Sequence, residues 1–374
     1  MKRLIKHLYM LAVMAAGTGV MASCDMMEQD LDDCPYGLYV NFKYDYNLQR
    51  ADMFNDHVGS VTLYIFDEDG NLVKTQEESN VGGVSPLSDP GYAMHITDLA
   101  PGHYQFIALA GQRPYADMLA DSRARFVRTD MAAGASMQSL EINLDKGATV
   151  TGPDGATYYS IENNGLPLDT LWHGMITAPV EVYPMSSNRA AYATVPLVRD
   201  TKHINVALRE LDDPTVMDIA KYDMYITDHN SRILWDNALD ETDPVIYTPY
   251  STWNSDDRTP PTSPGDGDVI EGVGKIGHAD FMTSRLIYHD NAENDGHLYI
   301  RNKETGIIVA NLNLPDILSR LRTSDELHAY SEQEFLDRGY DYQITVFLRG
   351  DELQYINISI SVLGWSKRIQ WQEL

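Results

Sequence analysis

The chain has 374 residues, of which 28 are Lys or Arg and 55 are Asp or Glu, so its formal net charge is −27. A protein this acidic repels phosphate groups and anionic headgroups, which excludes nucleic acid as a partner and a basic patch as a membrane anchor. The length is sufficient for two domains.

The first 24 residues have the layout of a bacterial lipoprotein signal. Basic residues come first, and an apolar stretch that ends near Val20 leads through small residues to Cys24. An ordinary signal peptide and a membrane helix are the alternatives, but the apolar run is short and rich in Gly and Ala for a membrane span. We therefore predict that residues 1–23 are removed and that Cys24 carries the acyl chains that attach the protein to the outer membrane. Two or more such chains hold a protein stably.

Residues 24–35 are predicted to form an acidic tether. The acidic residues just after Cys24 that we single out are Asp25, Glu28, Asp30, Asp32 and Asp33. This run resembles the export signal that sends lipoproteins of Bacteroidota to the outer face of the outer membrane, and a plain solvated tether is the alternative. If Cys24 is acylated, Cys34 is alone, so we expect no disulfide within the chain.

Alternation of apolar and polar residues predicts short strands through the first half of the mature chain. The predicted strands cover residues 38–44, 61–66, 72–73, 94–97 and 104–109. The second and third are joined by an Asp-Gly turn, which predicts a β-hairpin. Many short strands separated by turns favour a β-sandwich, to which we assign residues 36–190.

The same plan recurs in the second half of the chain. A predicted strand over 203–208 is followed by a predicted hairpin of 224–227 and 233–235, at nearly the spacing found in the first half. We therefore predict a duplicated sandwich and assign residues 191–374 to the second copy.

Helices are predicted in two places only. One covers residues 115–120, and the other covers 314–321, where Pro315 falls in the first turn. Residues 251–268 are rich in Asp, Ser, Thr, Pro and Gly, and we predict that they form a long exposed loop.

Two segments near the C-terminus, 342–348 and 356–362, alternate as half-buried strands do. We expect the first to pair within its own sandwich. The second is followed by an apolar end, which is unusual for a free tail, so we predict that this region donates or organises a strand for a neighbouring subunit. Pairing within its own sandwich is the alternative. The residues predicted to make the contact are Ile356, Ile358, Ile360, Val362, Trp365, Ile369 and Trp371.

No motif for catalysis or for binding a cofactor or metal stands out. The sequence has no His pair at the helical spacing of zinc hydrolases, no complete phosphate loop and no Gly-x-Ser-x-Gly. The acidic turn 67–71 lacks the remaining oxygen ligands of a calcium loop. We therefore predict that the protein is not an enzyme and needs no cofactor.

Several segments, taken in order over nearly the whole mature chain, resemble the FimB-type fimbrillin-associated anchor subunits of Bacteroidia fimbriae. These segments are 34–47, 56–67, 99–106, 171–174, 197–201 and the tail 342–365. The resemblance implies an all-β fold of two tandem transthyretin-like (Greek-key) β-sandwich domains with few short helices. It also implies a lipidated N-terminus, a position at the base of a pilus and a fimbrial shaft subunit as the partner. No catalytic residues come with this family.

Functions of other classes stay open. β-Sandwich lipoproteins with exposed Trp and Tyr bind glycans, and this chain has 23 Tyr, although strand propensity and packing also account for many Tyr. A shaft or tip fimbrillin would share the fold without the terminal role. A lipoprotein hydrolase is disfavoured because its motifs are missing.

Overall fold

A computed structural model describes residues 36–256, 274–362 and 365–370. The strands are β1 (Gly37–Lys43), β2 (Ser60–Phe66), β3 (Leu72–Ser79), β4 (Met94–Ile96), β5 (Gly102–Gly111), β6 (Phe126–Arg128), β7 (Glu141–Leu144), β8 (Thr149–Thr151), β9 (Thr157–Ile161), β10 (Leu171–Val182), β11 (Ala190–Arg199), β12 (Lys202–Glu210), β13 (Tyr222–Asp228), β14 (Arg232–Leu234), β15 (Val245–Tyr247), β16 (Ser251–Asp256), β17 (Lys275–Thr283), β18 (His297–Asn302), β19 (Ile308–Asn313), β20 (Asp341–Arg349), β21 (Glu352–Val362) and β22 (Trp365–Gln370). The helices are α1 (Phe54–His57), α2 (Tyr115–Leu119), α3 (Leu314–Ser319), α4 (Asp325–His328) and α5 (Glu332–Arg338).

Within the described ranges these strands form four sheets. Sheet I has the order β3-β2-β5-β10-β11-β1-β4, and sheet II has the order β16-β17-β12-β20-β21-β22. Sheet III has the order β19-β18-β13-β15-β9-β8, and the small sheet IV is β14-β7-β6. The predicted all-β class with few short helices is confirmed.

Sheet I changes partners at β11 and closes on itself as a sandwich. Residues 190–196 of β11 pair with β1 in parallel, whereas residues 197–199 pair with β10 in antiparallel fashion. The wing β4-β1-β11 therefore faces the wing β3-β2-β5-β10, and alternate side chains of both wings meet in one core. Members of this core include Leu38, Val40, Phe42, Val61, Leu63, Ile65, Phe106 and Trp172.

Sheets II and III form the second sandwich. β12 lies inside sheet II, parallel to β20 and antiparallel to β17, and its Ile204, Val206 and Leu208 are fully buried. The parallel pairing of β12 with β20 repeats that of β1 with β11. Each sandwich thus places its first strand beside a strand that comes late in the same half.

The observed strand pairings do not follow the domain boundary expected between residues 190 and 191. β11 was expected in the second sandwich, but it pairs with β1 and β10 of the first. β7 and β9 were expected in the first sandwich, but they pair with β14 and β15 of the second half. Alternation shows which face of a strand is buried but not which strand lies beside it.

Three local predictions are confirmed and two are corrected. The first hairpin forms as β2 and β3, and both predicted helices form, as α2 and α3. The second predicted hairpin is wrong, because β13 pairs with β15 and β18 while β14 pairs with β7. The predicted loop 251–268 begins as a strand, since β16 pairs with β17 along its whole length. The polar composition of β16 hid it, because an edge strand can be polar on both faces.

A second hydrophobic core, separate from the one inside the first sandwich, has members from both halves. All seven residues of β2 are buried, because one face of sheet I lines the first sandwich and the other packs against sheet IV. Tyr64 and Phe66 of this second face belong to the same core cluster as Ile142 of sheet IV and Ile204 of sheet II. Apolar packing therefore continues from the first half into the second.

Candidate membrane tether and subunit interface

Several residues singled out by the sequence lie outside the described residues: Cys24, Asp25, Glu28, Asp30, Asp32, Asp33 and Trp371. Lipidation of Cys24 and export by the acidic run therefore stay predictions. Among the described residues, no helix combines the length and the apolar character needed to cross a membrane.

The segment that follows the tether is built into the first sandwich as β1. This strand lies between β4 and β11, and its Leu38 and Val40 are fully buried. Gly37 begins it with a φ of +77°, and a Cβ at this position would lie 2.5 Å from the carbonyl oxygen of Ile96. Only glycine meets both conditions without strain. The chain is thus held firmly where it leaves the tether.

β1 leads from the tether to the junction between the two halves. Shortly after β1, the Tyr46 ring lies 4.0 Å from the guanidinium carbon of Arg338. At the end of β11, the guanidinium carbon of Arg199 lies 4.3 Å from the Tyr340 ring. Because β1 and β11 are parallel and both end at these contacts, β1 begins at the end of the first sandwich farthest from the second.

Buried charges hold the junction together. Lys202, the first residue of β12, is fully buried, and its ammonium group donates to the carbonyl oxygens of Leu336 and Gly339 at 2.7 and 2.8 Å. The Arg285 guanidinium donates twice to the Asp337 carboxylate, at 2.8 and 2.7 Å. Both contacts join residues distant in sequence, so they fix β12 and α5 at the junction.

Asp200 completes this buried cluster. Burial raises the pKa of Asp200, although the charge of Arg285 acts in the other direction, and burial lowers the pKa of Lys202, although the charge of Asp337 acts in the other direction. Perturbed pKa values often mark catalytic groups. Here the Lys202 donors are taken up by main-chain carbonyls and Asp200 accepts from Asn237 at 3.1 Å, so the arrangement is structural. In the sequence the cluster is marked only by the charged run from Arg199 to Lys202, where β11 ends and β12 begins.

The C-terminal strands form half of sheet II. β21 pairs with β20 on one side and with β22 on the other. Ile356, Ile358 and Ile360 are at most 2% exposed and belong to the core between sheets II and III. This corrects the prediction that these three residues contact a neighbouring subunit, because their own sandwich uses them.

β22 is the last strand of sheet II, and no other described strand pairs with its outer edge. Its register places Trp365 opposite Val362 and Ile369 opposite Ile358. β22 runs parallel to β20 and β12, which start at the junction, so it leads away from the junction toward the far end of the second sandwich. Free main-chain groups on an edge strand are a template for a strand of another chain.

Within the part of the chain that the structure describes, no three His, Cys, Asp or Glu side chains are grouped so that they could hold a metal ion.

Comparison with protein families finds a match over nearly the whole mature chain. Residues 31–371 match the family described as fimbrillin-A associated anchor proteins Mfa1 and Mfa2. A search of curated protein sequences found no match.

Solved structures of similar fold come from Bacteroides and Porphyromonas species. A candidate adhesin from Bacteroides thetaiotaomicron has a TM-score of 0.67 and 28% identity, over 91% of this chain and 100% of that one. A candidate polysaccharide-binding protein from the same organism has a TM-score of 0.64 and 27% identity, over 90% and 99% of the two chains. The fimbrial anchor protein Mfa2 from Porphyromonas gingivalis has a TM-score of 0.53 and 18% identity, over 89% and 99%, a likeness of fold alone.

Proposed function

Because this chain belongs to the family of fimbrillin-A associated anchor proteins, we propose that it attaches a fimbria to the outer membrane and ends the polymer at its base. The observation that carries the proposal is the direction of the first and last described strands. β1 begins at one end of the molecule, and the edge strand β22 leads toward the other.

The membrane end rests on acylation of Cys24. Two or three acyl chains hold a protein on a membrane without any spanning segment. Tyr36 follows Cys24 by twelve positions, a stretch of chain that reaches about 40 Å when extended. The first sandwich then lies nearest the membrane, and the second is presented outward, where a shaft subunit can reach it.

The acidic run from Asp25 to Asp33 supports an outward-facing position. It lies between the lipid and the first strand, where an export receptor could read it as an extended segment. The large negative charge of the mature chain also keeps the folded domains away from anionic headgroups.

We assign the shaft contact to the outer edge of β22, which carries Trp365 and Ile369, together with Val362 at the end of β21 and Trp371 next in the sequence. Strand addition at an edge takes its affinity from main-chain hydrogen bonds and its register from alternate side chains.

The role as the last subunit follows from β1. A strand-exchange polymer needs an open groove in each subunit to receive a strand from the next. In this protein β1 fills the position between β4 and β11, and its inward side chains are buried in the core. A subunit whose own tethered strand stays in place offers no such groove on that side, so growth stops there.

Lipidation is tested with Cys24→Ala, using Cys34→Ala as the matched control. Metabolic labelling with a palmitate analogue, followed by membrane fractionation, should show labelled, membrane-bound protein for the wild type and the control. The Cys24→Ala protein should be unlabelled and either released or left as the precursor. Retention of the label in Cys24→Ala would refute the anchoring mechanism.

Export is tested by replacing Asp30, Asp32 and Asp33 with Ala. Protease added to intact cells should digest the wild type but spare this variant. A control in which Asp69, Asp117 and Glu304, three exposed acidic residues of the folded part, become Ala should remain sensitive. Equal digestion of all three proteins would make the acidic run a plain tether.

The shaft contact is tested by deleting residues 369–374. Pili should then appear in the culture medium while the lipoprotein stays folded and membrane-bound. As a control, Val150→Asp changes the edge strand β8 of sheet III and should leave the pili attached. Pili that stay attached at normal length after the deletion would rule out this edge. Antibody labelling along the whole shaft, instead of at its base, would favour a shaft fimbrillin.

A further inference from the structure

The outer face of sheet II carries an open groove of about 400 Å³ close to the junction. Its polar lining residues come from β12, β17, β20 and β21 and are His203, Asn205, Asp280, Asp341, Gln343, Ser359 and Ser361. Three strand registers explain the grouping: Asn205 lies opposite both Asp280 and Gln343, and Gln343 lies opposite Ser359. The groove therefore crosses the strands as a continuous polar row.

Hydrogen bonds between neighbouring strands hold these side chains in place. The His203 imidazole bridges two carboxylates, with Nδ1 at 2.7 Å from Asp341 and Nε2 at 3.4 Å from Asp280. The Asn205 amide donates to Asp280 at 2.7 Å. Burial lowers the pKa of His203, but its hydrogen bond with Asp341 and the two nearby carboxylates outweigh this and raise it. The floor of the groove is thus preorganised, with carboxylate and amide oxygens left to accept from a ligand.

An aromatic wall closes one side of the groove. Trp253 of the edge strand β16 stacks on His278 with ring centroids 4.8 Å apart and an interplanar angle of 10°. Trp253 is nevertheless 40% exposed, whereas Trp residues are on average highly buried. The stack orients the indole as a fixed apolar surface beside the polar row.

We propose that this groove binds a neutral carbohydrate chain, a function separate from the anchoring role. A hexose offers several hydroxyl groups, each both donor and acceptor, together with an apolar C–H face. The first feature matches the row of carboxylates, amides and serines, and the second matches the indole. The volume lies in the range of small-ligand sites, and the open shape suits a chain that continues beyond the groove.

Charge selects the class of carbohydrate. Asp280 and Asp341 lie in the groove, and the whole chain has a net charge of −27. An anionic polysaccharide would be repelled by both. The ligand is therefore uncharged.

A second open cavity of similar size does not compete with this groove. Its basic side chains are already engaged, since Arg123 pairs with Asp121 at 2.7 Å, Arg125 pairs with Asp145 at 2.6 Å, and Lys146 pairs with Asp243. These pairs leave no free charge for an anionic ligand.

The test is affinity electrophoresis of the full mature lipoprotein in a sugar-free detergent, through gels that contain dextran, mannan or arabinogalactan. At least one of these neutral polysaccharides should retard the protein, and alginate should not. Trp253→Ala and Asn205→Ala should each raise the dissociation constant obtained from the retardation at least tenfold. Tyr192→Ala, which removes a 64% exposed aromatic ring from sheet I, should not change it.

No retardation by any neutral polysaccharide, or equal retardation of Trp253→Ala and the wild type, would overturn the proposal. Thermal melting of each variant separates loss of the site from loss of the fold. Ser361→Ala gives a second, milder probe at an exposed position of the groove, with a smaller loss expected. Because the measurement needs neither pili nor cells, its result is independent of the tests of anchoring.

Discussion

The buried imidazole of His173 links strand β10 of the first sandwich to the segment that follows β14. It is 2% exposed, and its Nε2 lies 3.0 Å from the carbonyl oxygen of Trp235. Burial lowers the pKa of His173 to about 4, although its hydrogen bond with Trp235 acts in the other direction. The side chain is therefore neutral in the folded protein at neutral pH.

Acidification should weaken the fold through His173. The unfolded chain takes up the proton at its ordinary pKa of about 6.5, so the free energy of unfolding falls as the pH drops from about 6.5 to about 4. The full effect of this one group is about 3 kcal/mol. His173→Gln keeps a donor but does not titrate, so its free energy of unfolding should fall less than that of the wild type between pH 7 and pH 4.5.

Denaturant titrations at the two pH values measure this difference, with the exposed residue His328 changed to Gln as the control. The control should behave like the wild type. An equal loss in His173→Gln and the wild type would show that His173 is not the responsible group.

Among the salt bridges at the junction, the Arg285–Asp337 pair should cost the most stability when one partner is replaced. Its side chains are 13% and 8% exposed. Asp337→Asn leaves the guanidinium buried without its counter-charge, which costs about 3–5 kcal/mol. Asp212→Asn breaks an exposed pair with Arg349 and should cost less than about 1 kcal/mol. Urea unfolding of both variants gives the comparison, and similar costs would contradict it.

At the scale of elements, β10 and β11 approach each other closely where sheet I changes partners. Gly174 of β10 lies opposite Leu197. A Cβ on Gly174 would lie 2.4 Å from the Pro196 carbonyl oxygen and 2.7 Å from a methyl carbon of Leu197. The close contact allows β11 to leave β10 and join β1, which closes the first sandwich.

Gly174→Ala should lower the free energy of unfolding by about 1–3 kcal/mol, because the main chain of β11 has to move. Gly91→Ala is the control, since its nearest neighbour is a flexible Asp89 oxygen at 3.4 Å. The control should stay within about 0.5 kcal/mol of the wild type. Thermal or denaturant unfolding measures both variants. If Gly174→Ala were as stable as the wild type, the strands would separate more easily than their packing indicates.

At the scale of the whole molecule, the two halves depend on each other. The second face of sheet I packs on sheet IV, and β7 and β9 each have one neighbouring strand in the first half and one in the second. The connection between β11 and β12 is buried as well, with Asp200 and Thr201 fully inaccessible. This differs from two domains joined by an exposed linker.

We therefore expect one cooperative unfolding transition for the mature chain. Far-ultraviolet circular dichroism and Trp fluorescence should give coincident curves. A fragment of residues 36–199 should fail to give a cooperative transition, because β7 loses β14, β9 loses β15, and the core around Tyr64, Phe66, Ile107 and Leu109 loses its members from the second half. Two separate transitions in the mature chain, or a fragment that melts cooperatively, would show that the halves are independent.

The sequence by itself determined what depends on neighbouring residues. Alternation located β1, β2, β12, β20 and β21, and the Asp-Gly turn identified the first hairpin. The Pro at the first turn identified α3. The order of the motifs indicated the family that the comparison then established. These features are local, since they follow from strand propensity, turn geometry and helix capping within a few residues.

Only the tertiary structure decided which strands are neighbours. Ile356, Ile358 and Ile360 alternate as a strand should, yet no local signal shows whether the partner is the same chain or another. The polar strand β16 and the polar groove of sheet II were also hidden, because their residues come together through pairings of up to about 140 positions in sequence, such as His203 with Asp341. Register and partner choice are set by the burial of apolar area over the whole molecule, and the sequence pattern reports only which side of each strand is apolar.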